Sequence, residues 1–278
     1  MSTSAVEIGL RTSGVLRSEW LKLWTVRSLP GLLIGMVAAA VGAAALMAAT
    51  VEPEDFTGTD TSITSIMVEV ITVTMVLATI VVALYGALAV TQEHDSGMAA
   101  TSLMAVPTRT RLLAARTAAV AAACAGATAV ALGLGIGLAA VVLPADRRGE
   151  LAEPAYWRTV AGALLYAVLI AVLAVAIGAL VPAGAGGVAC SVGLVFVAPI
   201  FMNIVGAVLD ATWVRNLAAL LPTNAGSQLF HYSLYRSGVP TPDPGLIALG
   251  PLGGGLVLLG WVVVALAAAT AVLGRRDV

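Results

Sequence analysis

The chain has 278 residues, of which 60% are hydrophobic and only 10% charged, and its formal net charge is −1. A soluble domain carries about 25% charged residues, so at a mean hydropathy of +1.01 most of this chain must be shielded from water by lipid. The near-neutral charge argues against a nucleic-acid partner, which needs a concentrated basic surface. Lys22 is the only lysine, and no G-x-x-x-x-G-K-[ST] stretch is present. A phosphate-cradling loop sets its lysine against the β/γ-phosphates, so the chain is not expected to hydrolyse ATP. Cys124 and Cys190 fall inside apolar runs and read as small buried residues.

Residues 1–28 are polar and carry Arg11, Arg17, Lys22 and Arg27. The polar part is too long, and the apolar run after it too long, for a cleaved signal, so the segment reads as an uncleaved cytoplasmic head. Within it Leu16, Trp20, Leu23 and Trp24 share one side of a helical wheel, and Ser18, Glu19, Lys22 and Thr25 share the other. Tryptophans at headgroup level with basic neighbours suit a helix lying in the membrane interface. A simple positively charged anchor for the first span explains the same residues.

Six apolar runs of membrane-crossing length follow, at about 29–50, 66–90, 117–143, 159–181, 188–209 and 251–273. The expected fold is therefore an all-α integral membrane protein with six transmembrane helices, an N-terminal interfacial helix and both termini cytoplasmic. The first connection, 51–65, holds Glu52, Glu54, Asp55 and Asp60 without a basic residue, which marks an outside loop. Counted over the whole chain, nine basic residues fall on the proposed inner side and five on the outer. Gly133, Gly135 and Gly137 in the third span suit close helix packing. The fifth span is interrupted by Pro199 and holds one amide, Asn203, a group that inside a membrane bonds a neighbouring helix or lines a substrate path. Residues 210–250 contain apolar pieces too short to span, and read as an external loop or a re-entrant segment.

The stretch 92–116 interrupts the apolar pattern between the second and third spans. Glu93, Gly97, Leu103, Pro107 and Arg109 give E-x3-G-x5-L-x3-P-x-R. This order resembles the cytoplasmic segment after the second membrane helix of ABC-2 type transporter permeases. The S-E-W-L-K-L-W run at Ser18–Trp24 is similar to the opening of actinobacterial-type members of that superfamily. The resemblance implies the permease subunit of an ATP-driven exporter in a bacterial cytoplasmic membrane, not itself an enzyme. It implies two copies of an ATP-binding subunit that carry ATP and Mg, a second permease chain as homodimer partner, and membrane lipids around the pair. Glu93, Gly97, Leu103, Met104, Pro107, Arg109 and Arg111 would couple to the ATPase, together with the interfacial helix. In the resembled family, short external helices occupy the region corresponding to 210–250.

The span interiors hold no Asp, Lys, Arg or His and no centrally placed Glu. Ion-coupled carriers need such groups near mid-membrane, so the energy source is expected on another subunit. An almost uncharged interior suits an amphipathic or hydrophobic cargo. Intramembrane proteolysis is not expected, because no H-E-x-x-H is present and the two histidines, His94 and His231, fall on opposite sides. A non-transporting scaffold, sensor or immunity protein of the same topology stays open as the other reading.

Overall fold

The structure is a computed structural model that describes residues 12–50, 66–95, 109–143, 148–181, 184–209, 211–239 and 244–275. Among these residues the regular structure is helical and no strand occurs. In chain order the helices are α1 (Thr12–Thr25), α2 (Ser28–Thr50), α3 (Ile66–Asp95), α4 (Arg109–Val142) and α5 (Pro154–Leu180). Next come α6 (Gly184–Val192) and α7 (Ala198–Leu209), joined through a π-helical turn, Gly193–Val197. The short helices α8 (Thr212–Ala219), α9 (Pro222–Ser227) and α10 (Tyr232–Arg236) precede the last long helix, α11 (Pro251–Arg275).

Among the described residues, six helical stretches are long and apolar enough to cross a membrane: α2, α3, α4, α5, the α6–α7 pair and α11. These are the six runs of the sequence, with shifted ends. The second span continues to Asp95 and the third begins at Arg109, so both flanks of the 92–116 stretch are helix continuous with the spans. At 1.5 Å per residue the 34-residue α4 is about 51 Å long, well beyond a hydrocarbon core of about 30 Å. The fourth span starts five residues earlier than the apolar run, with Pro154 in its first turn, where a missing N–H costs nothing.

α3 and α5 form the centre: 61% of each span window is buried, against 17% for α6–α7 and for α11. Small residues let the two central helices touch backbone to backbone. A Cβ added at Gly86 would lie 2.7 Å from the Ala174 methyl and 2.8 Å from the Ala171 carbonyl oxygen. Without a hydrophobic drive between helices in lipid, such close van der Waals contact is what holds them. Of the three glycines in the third span, Gly135 packs against Val70 and Ala44, while Gly133 and Gly137 face open space. Cys124 is buried as expected, but Cys190 is exposed, on the outer face of α6.

Contacts at each end show which helix ends lie together. Gln92 Nε2 donates to Ser28 Oγ at 3.3 Å, joining the end of α3 to the start of α2. At the opposite end the Tyr156 hydroxyl donates to the Met67 carbonyl, joining the starts of α5 and α3.

Candidate functional site

Two polar constructions stand out in a chain this apolar, one at each end of the bundle.

The first joins α1 to α4. The buried edge of α1 is Val15, Glu19 and Leu23, whereas Leu16, Trp20 and Trp24 are exposed. Leu23 therefore lies with Glu19 on the buried edge rather than with Leu16, Trp20 and Trp24, and the carboxylate faces protein, not water. Glu19 is 3% exposed and Arg116 6%. Arg116 Nε donates to Glu19 Oε2 at 2.9 Å, and Lys22 Nζ to Glu19 Oε1 at 2.6 Å. The charge is thus held by two cations at once, one of them from the third span. Arg116 stands seven residues into α4, about 10 Å from its start. An ion pair buried this far is tolerated only with both partners in place.

Of the residues expected to couple to an ATPase, Gly97, Leu103, Met104 and Pro107 lie outside the described residues. Glu93 and Arg109 belong to the backbones of α3 and α4, and Arg111 is exposed one turn before Arg116 on α4. Arg116, absent from the expected coupling residues, joins the Glu19 side of α1 to the helix that leaves this stretch. The only sequence signal was an arginine immediately before the third apolar run.

The second construction is the wedge formed by 220–230. A Cβ on Gly162 would sit 1.7 Å from the Leu229 carbonyl oxygen, and one on Gly254 would sit 2.2 Å from that of Ala225. The segment therefore lies directly on the backbones of α5 and α11. The Phe230 ring packs on Tyr166 with centroids 5.1 Å apart, and Trp261 Nε1 donates to the Leu220 carbonyl at 2.9 Å. Tyr166 is twelve residues into α5 and Trp261 ten into α11, so the wedge reaches about 15–18 Å along both spans. Residues 220–230 thus pack along the first part of both helices rather than standing clear of them.

Behind the wedge, Pro199 has no N–H to offer the carbonyl one turn back, that of Val195. The chain takes a π turn there, with Ala198 N–H bonding to the Gly193 carbonyl, and Thr223 Oγ1 donates to the freed Val195 oxygen. The Tyr166 hydroxyl lies 3.2 Å from Thr79 Oγ1, whose own proton goes to the Met75 carbonyl, so the phenol is the donor in that pair. Asn203 is exposed rather than buried, and its side-chain oxygen accepts from Asn224 Nδ2 at 3.2 Å. The expected substrate-path amide is therefore engaged by the wedge.

α10 closes the wedge over the start of α5: the Tyr232 hydroxyl donates to Glu153, and Arg236 lies 3.8 Å from the same carboxylate. Burial first, and then the hydrogen bond to Glu153, push the Tyr232 phenol up to about 12, so it stays a donor through the physiological range.

Thr223→Val tests the π-turn contact. Leaving the buried Val195 carbonyl unpaired should cost about 1–3 kcal/mol, read as a lower unfolding midpoint of the solubilised protein, whereas Thr223→Ser should stay near wild type. Equal midpoints for Val and Ser would remove this bond from the account.

Compared with known proteins, the chain matches no family model and no curated protein.

Proposed function

We propose that this chain is the permease subunit of an ATP-driven ABC-2 type exporter in a bacterial cytoplasmic membrane. It acts as one half of a homodimer, with two copies of a separate ATP-binding subunit supplying energy. The observation that carries the reading is the Glu19–Arg116 pair. It fastens the N-terminal helix to the third span, at the helix that leaves the 96–108 segment, while Ser28–Gln92 ties the base of the first span to the end of the second. A push on 96–108 or on α1 then moves three span ends together, which a device driven from the cytoplasm requires.

α1 would lie at the membrane surface with Leu16, Trp20 and Trp24 toward lipid and its charged side against the protein. ATP closure would press Leu103, Met104 and their neighbours, shift the ends of α3 and α4, and rock the two permease halves. The wedge of 220–230 stands at the opposite end of the bundle, on α5 and α11, where an amphipathic or hydrophobic cargo would leave. The Asn203–Asn224 pair would give such a cargo amide groups to meet there.

The deciding experiment is gentle extraction of the chain from its own membrane, followed by identification of what co-purifies. An equimolar P-loop ATPase is expected, with hydrolysis that falls on Glu93→Ala while membrane levels stay equal. A stable complex without any ATPase would sink the permease reading and leave a scaffold, sensor or immunity protein of this topology.

A further inference from the structure

A groove of about 590 Å³ opens on the side of the bundle between α1, α2 and α4. Trp20 and Trp24 form one wall, Pro30 to Val41 of α2 the floor, and Gly126 to Leu134 of α4 the far wall. Among the described residues, no charged side chain lines it. It exists because α4 presents alanine and glycine here: a Cβ on Gly126 would meet nothing within 4 Å.

The charge sits at the mouth. Arg27 is exposed and forms no ion pair with any described residue. The Gly31 N–H bonds to its carbonyl, so Arg27 keeps helical register with α2 and stands one turn beyond Pro30 on the groove's own stripe. Arg17, also exposed, shares the outer arc of α1 with Trp20 and Trp24.

We infer that this groove binds one anionic phospholipid, with its phosphate at Arg27 and an acyl chain between the tryptophans and α4. Length favours a lipid over a protein helix. From Pro30 to Val41 is eleven residues, about 16 Å, and one leaflet of hydrocarbon is about half of 30 Å. A helix from a second copy would need a seat along the whole span, and this one stops halfway. Charge agrees: a basic side chain at the membrane surface attracts an anionic headgroup by about 1 kcal/mol. The groove between α2 and α3, of about 620 Å³, ends at the Ser28–Gln92 hydrogen bond rather than on the stripe of a cation, so it lacks the headgroup half of such a site. The inference rests on the packing of α1, α2 and α4 and stands whether or not an ATPase partner is found.

The test uses the full chain in phosphatidylcholine vesicles with a small fraction of acyl-brominated lipid, whose bromines quench nearby tryptophans. Trp20→Phe/Trp24→Phe protein supplies the background from the other tryptophans. Brominated phosphatidylglycerol should quench Trp20 and Trp24 at about five-fold lower mole fraction than brominated phosphatidylcholine, the ratio that 1 kcal/mol gives. Arg27→Gln should abolish that preference. Gly126→Leu, which fills the groove and leaves the charge in place, should weaken quenching by both lipids. Equal quenching by the two headgroups overturns the site, as does a preference that survives Arg27→Gln. Quenching that falls as protein concentration rises would give the groove to a second copy. Quenching that appears only after deletion of residues 2–11 would give it to the chain's own N-terminal segment. Either result overturns the lipid.

Discussion

Arg116→Met should destabilise the protein by about 3–5 kcal/mol, because it leaves the Glu19 carboxylate buried without its partner from α4. Lys22 cannot compensate. It reaches the other carboxylate oxygen from a position about one-third exposed, where an ion pair contributes below about 1 kcal/mol. Lys22→Gln should accordingly be close to neutral. The informative variant is Glu19→Gln combined with Arg116→Met. With the buried carboxylate neutralised, much of the loss should return, and a double-mutant cycle should give a coupling of about 0.5–3 kcal/mol. Unfolding midpoints of all four proteins in one detergent measure it. Strict additivity would mean that the two side chains are neighbours without being partners. Under the proposed function, the same Arg116→Met chain should remain inserted yet lose the link between hydrolysis and export, since α1 would no longer move with α4.

Gly162→Ala is expected to be the most damaging single methyl in the chain. The obstacle, at 1.7 Å, is the Leu229 carbonyl, which also accepts a hydrogen bond from the Tyr235 hydroxyl. A flexible side chain could swing away from an added methyl, but a peptide group held between two spans cannot. Overpacking a core costs about 1–3 kcal/mol when side chains give way, and more is expected here because backbone must move. Gly126→Ala, where the space is open, is the matched control and should be neutral within about 0.5 kcal/mol. Gly254→Ala presses on the same segment from α11, so the two substitutions together should cost less than their sum. A cysteine at Ser227, in a chain whose own two cysteines are replaced, reads the displacement directly: it should become reactive to an impermeant maleimide in Gly162→Ala. A Gly162→Ala protein as stable and as unreactive as the parent would mean that the wedge does not lie against α5.

The six spans were legible because twenty or more apolar residues in water have no other solution. Their ends were less so. Arg109, Arg111 and Arg116 lie outside the apolar run that marks the third span, yet they belong to the same helix, so α4 begins eight residues earlier than that run. Pro154 was a usable start signal that hydropathy overrode. Glu19 shows a different limit. Its place on the polar side of a wheel was correct, but a polar side faces water only if no charged partner waits on a neighbouring helix. That partner was 97 residues away. Pro199 announced the break in the fifth span, while the donor that repairs it, Thr223, belongs to a segment whose depth no composition could disclose. The proposed coupling stretch remains legible mainly as a resemblance, since Gly97, Leu103, Met104 and Pro107 lie outside the described residues.

The wedge also constrains the order in which the molecule can be made. Residues 222–230 are too few and too polar to enter lipid alone, and their backbone contacts come from Gly162 on one side and Gly254 on the other. The second of these arrives from the ribosome after the wedge itself. Pro222–Phe230 can therefore take its full seat only once α11, which follows it in the chain, has been placed beside α5.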